Sequence, residues 1–527
     1  GSQNVSPLYA MVALPAQIIP AAPQETARKD VSALAEQIAD TVITMEPVST
    51  DVLRAVRVVD ALENFGAILR THCGSRYMLS YPTTAIRTFW SHSWHGGAWK
   101  KYVTLLLFYH GIPALLIASI AAVSASVLFC FEILPALTQP EESDSNFQCI
   151  WTNLVALLSY CVVLFFWRSS ADVFLDVICI DQEFQPRKAD GLLSIGAFLK
   201  NSDTMLVLWD GTYCDRLWCM FEIAGFARSR SPGGEARLLL RPTDLSICYF
   251  SQALTVLFVT IASDFLPLTG DDEGVLWTFQ ALNALVFCAG FYVNIAIYRH
   301  CFRSMEADGD KLARFSLDNV SCFCCEDNHI KSRGLCDRRV THKCITAWFG
   351  TQELFEEYVR TGVRELLLRE HAKQFFTYRQ AISAMVPVLW HFVSKAAAWS
   401  RFTIWDPKIQ ATRELIRGLA WWLGVAPMAL LVGTRLCYRL RHRRSWAPAE
   451  CLINLPPLLA SVMVVVAAQQ VEHLCFLLDD LLELPGDHGL VPYVLIFAAM
   501  VLPATVGLYV CLGANLKAYT QAKRFGA

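Results

Sequence analysis

The sequence is poor in charged residues. Asp, Glu, Lys and Arg make up 17% of its 527 residues, whereas 54% are hydrophobic; soluble domains average about 25% charged residues. Neither sign is in clear excess, because the formal net charge is −2. The chain therefore lacks the basic field that nucleic-acid binding requires, and we expect no nucleic-acid partner. Its composition instead favours a membrane protein with several modules.

The chain also lacks a regular pattern of metal ligands. Its 19 cysteines lie mostly inside apolar runs, where reduced thiols are the default. One C-x2-C pair is followed by further Cys and His residues, but a second pair with the spacing of a zinc site is missing. We therefore predict no metal and no permanently bound cofactor. The ligands of the alternative, a zinc site, are Cys322, Cys325, Cys336 and His342.

Charge is almost absent from several long apolar runs, each near the roughly 20 residues that a bilayer-spanning helix needs. Two of them, IPALLIASIAAVSASVLFCF and VPYVLIFAAMVLPATVGLYVCL, have no polar face, which argues against buried helices of a soluble protein. The runs cover about 112–133, 150–167, 246–267, 275–298, 415–434, 452–474 and 491–513.

The loops between these runs sort by charge. Acidic tips lie within 136–148, 264–273 and 479–487, and basic stretches cover 228–241, 435–444 and the C-terminal tail. The positive-inside rule places the basic stretches in the cytosol. Segment 381–399 is either a further span or an interfacial helix, so the prediction is seven or eight spans. We thus expect an integral multi-pass protein of a lipid bilayer, with its polar islands and C-terminus cytosolic.

Three polar islands remain, at about 73–109, 168–243 and 299–380. In the second, apolar strands at 173–180 and 204–209 alternate with a helical segment at 191–199, a pattern typical of a parallel α/β sheet. That island alone is too small to cover such a sheet on both faces. We expect it to combine with the strand-like segments 85–94, 237–240 and 313–322, and with the helical segments 99–110 and 336–370. Before the first island, 31–72 has helical spacing.

These islands resemble the TIR (Toll/interleukin-1 receptor-like) domain in the divergent form found in unicellular eukaryotes. A first strand ends in FWSHSW, a second leads into DQEFQPRK, and the third box has a Ser, an apolar strand, a Tyr and then Trp-Cys-x-x-Glu. The matching residues of the third box are Ser202, Tyr213, Trp218, Cys219 and Glu222. The resemblance covers about 86–109, 170–242 and 312–365. The basic residue that many TIR domains have at the end of the first box is replaced by Ser93 and Trp94.

The resemblance implies a multi-pass α-helical membrane protein with a flavodoxin-like α/β TIR-like cytosolic domain, interrupted twice by transmembrane hairpins. Short insertions at loops are tolerated when their ends lie close together. The implied order is an N-terminal tail with amphipathic helices (1–85), a first TIR-like segment (86–109), a transmembrane hairpin (112–167), a second TIR-like segment (168–243), a second hairpin (246–298), a third TIR-like segment with a Cys-rich helical region (299–380), an interfacial or transmembrane pair (381–434), a third hairpin (452–513) and a cytosolic tail (514–527).

Some TIR domains hydrolyse NAD at the nicotinamide–ribose bond, and the family's glutamate maps onto Glu222. A carboxylate at the ribose stabilises the oxocarbenium charge, and nicotinamide leaves as a neutral molecule. In this reading NAD is a substrate. The loop 181–188 covers it, Arg187 and Lys188 meet its phosphates, and Trp94 or Trp218 stacks on a ring. The full set of candidate site residues is Glu222 as the catalytic group and, for ligand binding, Ser91, Trp94, Arg187, Lys188, Tyr213 and Trp218.

Three functions remain open at this point. The first is a membrane-anchored TIR-like signalling protein that hydrolyses NAD. The second is a non-catalytic TIR-like scaffold that associates with itself or with other TIR-like proteins, in which Trp218 and Cys219 pack and Glu222 pairs with Arg216 or Arg228. The third is a channel or transporter with a regulatory cytosolic domain, which the scarcity of charge in mid-span disfavours.

Overall fold

The structure is a computed structural model of the chain. It describes residues 42–70, 76–136, 149–230, 237–264, 273–326, 337–374, 377–401, 406–481 and 492–522.

Helices dominate the described part of the chain, together with one sheet of short strands. The strands are β1 (Arg54–Arg57), β2 (Tyr81–Pro82), β3 (Ile86–His92), β4 (Asp172–Phe174), β5 (Ser202–Trp209) and β6 (Leu238–Pro242). The helices of more than one turn are α1 (Ala98–Tyr109), α2 (Gly111–Cys130), α3 (Ile150–Phe166), α4 (Gln185–Leu193), α5 (Ile195–Lys200), α6 (Leu217–Arg228), α7 (Thr243–Asp264), α8 (Glu273–Ala313), α9 (Asp337–Phe349), α10 (Gln352–Tyr358), α11 (Arg364–Gln374), α12 (Tyr378–Ala384), α13 (Val386–Ala398), α14 (Pro407–Ala420), α15 (Ala426–Arg439), α16 (Ala447–Leu452), α17 (Leu455–Leu481) and α18 (Pro492–Ala522).

The chain divides into two compact units, each built from three separate segments. Unit 1 comprises Gly1–Thr104, Arg168–Thr243 and Met305–His371; unit 2 comprises Leu105–Trp167, Asp244–Ser304 and Ala372–Ala527. The whole sheet belongs to unit 1. The segments of unit 1 overlap the three polar islands of the sequence, and most of the long apolar runs fall in unit 2.

The sheet has six strands in the order β2-β1-β4-β3-β5-β6. The four strands β4, β3, β5 and β6 are parallel, whereas β1 pairs antiparallel with both β2 and β4. At the centre, Thr88 is in register with Val173 on one side and with Thr204 on the other. The segments 86–91, 173–180 and 204–209 therefore contribute to one mixed sheet.

Aromatic packing on the central strands explains why these short strands hold together. The ring of Phe89 in β3 stacks on Phe174 of β4 at 4.5 Å, and Phe174 packs on Phe198 of α5 at 4.4 Å. All three side chains are fully buried. Each such ring removes roughly 150–250 Å² from water, so the three form the centre of the core of unit 1.

Three expectations for unit 1 are wrong. Residues 54–57 lie inside the predicted helix 31–72 but form β1. The strand predicted over 173–180 ends at Phe174, and a short helical turn, Asp176–Cys179, takes its place. The strand-like segment 313–322 lies in a turn and provides one isolated bridge, from Ser321 to Arg216.

Unit 2 holds most of the long apolar helices. Six helical segments of the described chain are long and apolar enough to cross a bilayer: Gly111–Cys130, Thr243–Ser263, Trp277–Ala313, Pro407–Arg439, Ala447–Asp479 and Pro492–Cys511. A multi-pass membrane protein is therefore the class that the helices support. The sequence predicted seven or eight spans; α3 is shorter than the six segments, and the pair α12 and α13 is bent by 47° at its break.

Two acidic residues in or next to the membrane-type helices pair with arginines. Arg417 of α14 binds Glu472 of α17 through two hydrogen bonds, of 2.6 and 3.1 Å, and the Trp421 indole donates to the same carboxylate at 3.1 Å. Glu132 pairs with Arg401 at 2.9 Å. Pairing with an arginine therefore accounts for Glu472 and Glu132 without an ion pathway.

Candidate functional site

The candidate site lies where the central parallel strands end. β3 and β5 run side by side in register up to the pair His92 and Leu208. The chain leaves β3 towards β4 on one side of it and later returns to form β5 on its other side. Ligands of open α/β sheets bind outside the carboxyl ends of the strands at such a reversal of strand order. The residues following β3 and β5 are therefore the first place to look for a site.

The centre of the site is a buried hydrogen-bonded cluster of Ser91, Tyr213 and Glu222. The Ser91 hydroxyl donates to Oε2 of Glu222 at 2.5 Å and shares a second hydrogen bond with the Tyr213 hydroxyl. Ser91 is the penultimate residue of β3, Tyr213 begins a 3₁₀ turn after β5, and Glu222 lies on α6. A strand and a turn–helix segment more than a hundred residues apart thus bring three of the predicted site residues into contact.

Burial controls the charge of this cluster. Glu222 is only 4% exposed, and desolvation raises the pKa of its carboxyl well above the usual range, although hydrogen bonds from Ser91 and Trp218 favour the charged form. The nearby carboxylate of Asp176 raises the pKa further. Burial likewise raises the pKa of the Tyr213 hydroxyl. Burial of the cluster therefore favours the protonated form of the Glu222 carboxyl group.

Two half-buried tryptophans accompany the buried cluster. The Trp94 indole N–H donates to Oδ2 of Asp176 at 3.3 Å, and its ring lies edge-to-face on His92 with centroids 4.4 Å apart. Trp218 bonds to Glu222 and packs on Phe221, with centroids 5.8 Å apart. Both indoles thus hold carboxyl groups and retain some exposed surface.

The loop 181–188 is an ordered helix start. The Asp181 carboxylate accepts hydrogen bonds from the backbone N–H groups of Glu183 and Phe184, both at 3.0 Å. Arg187 pairs with the same carboxylate at 3.5 Å, and its guanidinium lies 5.3 Å from the centre of the Phe184 ring. Lys188 follows on α4 and is half-buried. Arg187 therefore contacts mainly its own loop and not the cluster of Ser91, Tyr213 and Glu222.

The partner predicted for Glu222 in the scaffold reading is wrong. Arg216 pairs instead with Glu326 at 2.8 Å. The Arg228 guanidinium lies over the Phe349 ring at 5.2 Å. Glu222 is buried on α6, as are Leu217, Phe221 and Ile223 of the same helix. It is therefore neither a solvated surface residue nor an ion-pair partner of these arginines.

Sequence reasoning missed a second polar group beside the first. Lys101 of α1 is 1% exposed and donates from Nζ to the carbonyl oxygen of Ser93. Burial lowers its pKa, an effect that the nearby carboxylates of Asp210 and Asp176 oppose. Oδ1 of Asp210 accepts from the Thr212 backbone N–H at 2.8 Å. The available signal was a lysine one turn into an apolar helix that directly follows a strand end.

The turn between β3 and α1 closes over this second group. A Cβ atom on Gly96 would lie 1.8 Å from Oδ2 of Asp210 and 3.2 Å from Cε of Lys101. Only glycine fits there without displacing the carboxylate. The hydroxyls of Ser93 and Thr212 join the turn to the end of β5 at 2.7 Å. Backbone and side chains of both strand ends are therefore locked together around Asp210.

The ligands of the zinc alternative lie only partly within the described residues. Among the described residues, no group of three or more His, Cys, Asp or Glu is arranged to hold a metal ion. Cys322 is buried, and burial lowers the pKa of His342. Cys336 lies outside the described residues.

Comparison of the chain with protein-family models, with curated proteins and with solved structures finds no significant match.

Proposed function

We propose that the protein is a membrane-anchored, TIR-like signalling protein whose unit 1 binds NAD and cleaves its nicotinamide–ribose bond. The observation that carries the proposal is the carboxyl group of Glu222, hydrogen-bonded to Ser91 of the first parallel strand at the reversal of strand order. The order of the four parallel strands is second, first, third, fourth, which is also the order in flavodoxin-like sheets. It supports the resemblance drawn from the three sequence boxes.

The chemistry requires Glu222 as a carboxylate, whereas burial raises the pKa of the group and favours its protonated form. A bound nicotinamide ring carries positive charge, and an opposite charge nearby favours the ionised carboxyl. Substrate entry therefore promotes loss of the proton from Glu222. The carboxylate then holds the ribose hydroxyls and stabilises the oxocarbenium ion as the C1′–N bond breaks and neutral nicotinamide leaves with the bonding electrons. Water adds to C1′ and releases its proton to solvent. Ser91 and Tyr213 orient the carboxyl group, and Trp94 or Trp218 offers a ring for stacking.

The proposal is tested with the full chain in lipid nanodiscs, incubated with NAD and assayed for nicotinamide release. Wild type is expected to release nicotinamide, and Glu222→Gln is expected to lose at least 100-fold in rate, since electrostatic stabilisers of this kind contribute about 10²–10³. The matched control is Glu357→Gln, an exposed carboxylate on α10 of the same unit. Absence of turnover in wild type, even when the protein is clustered, would reject the catalytic proposal.

The burial of Glu222 favours a second candidate, a non-catalytic TIR-like scaffold. In that case the Ser91, Tyr213 and Glu222 cluster only ties β3 to α6, and unit 1 acts by associating with a second copy or with another TIR-like protein. Self-association of wild type without nicotinamide release, retained in Glu222→Gln, is the result that selects this candidate.

A further inference from the structure

A basic loop connects two of the apolar helices of unit 2. Residues Leu440–Trp446 lie between α15, which ends at Arg439, and α16, which begins at Ala447. Both flanking segments, Pro407–Arg439 and Ala447–Asp479, are candidate spans. The loop is therefore held at the ends of two apolar helices. Four arginines lie in it or at its border: Arg439, Arg441, Arg443 and Arg444.

Two arginines of α8 fix the backbone of this loop. Arg299 is 1% exposed; its guanidinium donates to the carbonyl oxygens of Leu440 at 2.8 Å and His442 at 3.3 Å. It also donates to Oδ1 of Asn454 at 2.7 Å. Arg303 donates to the carbonyl oxygen of Arg441 at 3.0 Å. Because successive carbonyls point at these guanidinium groups, the loop has a defined conformation.

The carboxylate of Glu450 at the loop is already shared by those two arginines. Glu450 accepts from Arg299 at 3.2 Å and from Arg303 at 3.1 Å, and its carboxylate also accepts from the Arg444 backbone N–H at 2.9 Å. These three residues form the anchor of the loop. Two guanidinium groups for one carboxylate leave this anchor positively charged. The arginine side chains of the loop therefore add to a positive surplus.

The positive side chains are presented outward, next to an exposed indole. Arg439, Arg443 and Arg444 lie at the surface of the loop, and Trp446 is 65% exposed. Tryptophan is enriched where membrane-spanning segments meet the headgroup region, because its ring is apolar and its N–H is polar. Arginine suits phosphate because its planar guanidinium donates two parallel hydrogen bonds.

We propose that this loop, Arg439–Trp446, is a binding site for the phosphate-bearing headgroups of anionic phospholipids. A polybasic segment directly next to a span attracts anionic lipids by about 1 kcal/mol for each Arg or Lys at the surface. The rigid anchor lowers the entropy lost on binding, since the loop is already ordered. The neighbouring spans and Trp446 select a lipid over other polyanions. The site lies in unit 2 and is independent of the proposed NAD chemistry.

The test uses the full chain in nanodiscs of phosphatidylcholine with a minor fraction of phosphatidylserine, which expose both membrane faces. Native mass spectrometry of the released protein gives the enrichment of phosphatidylserine among the retained lipids. Phosphatidylserine is expected to be enriched among the lipids that wild type retains. The triple variant Arg439→Gln, Arg443→Gln, Arg444→Gln is expected to reduce that enrichment at least tenfold, because each arginine contributes a factor of about five.

Two matched variants separate charge at the loop from total charge and from folding. The triple variant Arg314→Gln, Arg339→Gln, Arg369→Gln removes three arginines of unit 1 and is expected to keep the enrichment. Replacement of the three loop arginines by lysine keeps the charge and is expected to retain most of it. Unchanged enrichment in the glutamine variant of the loop, or an equal loss in either matched variant, would overturn the proposal. Loss of wild-type enrichment on adding inorganic phosphate at constant ionic strength would do the same.

Discussion

At the scale of single residues, the position of Glu222 has opposite consequences for stability and for chemistry. Ser91 and Tyr213 surround its carboxyl group, and burial raises its pKa. A raised pKa in the folded state means that the fold prefers the protonated form. The stabilising contribution is complete below the carboxyl pKa of the unfolded chain, and it is lost as the pH rises through the raised folded pKa. Near neutral pH the residue therefore costs stability that a functional role would justify.

This cost predicts that Glu222→Gln stabilises the protein as the pH rises. An amide has the same shape as the protonated carboxyl and can still accept the hydrogen bond from Ser91, but it has no charge to bury. The gain over wild type is expected to be near zero below about pH 4 and to grow towards pH 8 by up to about 1.4 kcal/mol for each unit between the two pKa values. Thermal unfolding of the full chain in detergent measures it.

The control for this prediction is Glu357→Gln, which removes an exposed carboxylate from the same unit. It is expected to change stability little at any pH, because its carboxyl group remains hydrated in the fold. A Glu222→Gln variant that is less stable than wild type throughout the pH range would contradict the prediction. That result would mean that the carboxyl group is ionised and favourably bonded in the fold.

At the scale of secondary-structure elements, the sequence predicted the centre of unit 1 and missed its edge. The elements β3, β5 and α1 are readable from the sequence because each contains a short apolar run next to polar residues. β1 was read as helix because Ala55 and Val58 also suit helical spacing; its pairing with β2 and β4 comes from distant residues. Contacts between distant residues also explain which residues of the site are missed from the sequence. Box residues Ser91 and Glu222 were found, whereas Lys101 and Asp210 acquire their roles only through contacts across the sheet.

The turn between β3 and α1 gives a prediction at this scale. Gly96→Ala places a Cβ against Oδ2 of Asp210, and the overlap is expected to destabilise unit 1 by about 1–3 kcal/mol. The matched control is Gly97→Ala in the same turn, whose new Cβ meets Lys100 at an ordinary 3.6 Å. Unfolding of the full chain in detergent measures both variants.

A double variant identifies the cause of the loss. Asp210→Ala removes the carboxylate that the new Cβ meets, so Gly96→Ala is expected to cost less in that background than in wild type. An equal cost in both backgrounds would show that strain elsewhere in the turn, rather than contact with Asp210, limits the position. Gly97→Ala as harmful as Gly96→Ala would contradict the prediction outright.

At the scale of the whole molecule, the notable feature is that unit 1 is assembled from three stretches of chain separated by apolar helices. A parallel sheet brings distant segments together, and each insertion adds loop-closure entropy that grows only slowly with length. An inserted pair of spans returns the chain to the side that it left. If the apolar helices do span a bilayer, all three segments of unit 1 must therefore face the same aqueous compartment, and each intervening insertion must contribute an even number of crossings.

This requirement predicts the accessibility of six chain segments. A protease site inserted at 231–236 or 327–336 is expected to be cut from one side of sealed vesicles, together with one in the basic loop Leu440–Trp446. Sites at 137–148, 265–272 and 482–491 are expected to be cut only from the other side, because acidic residues dominate there. Each insertion is also assayed after detergent permeabilisation, which must expose every site. Cleavage of 137–148 and 231–236 from the same side would mean that the chain between them crosses the bilayer an even number of times, and the interrupted domain would then need a different topology.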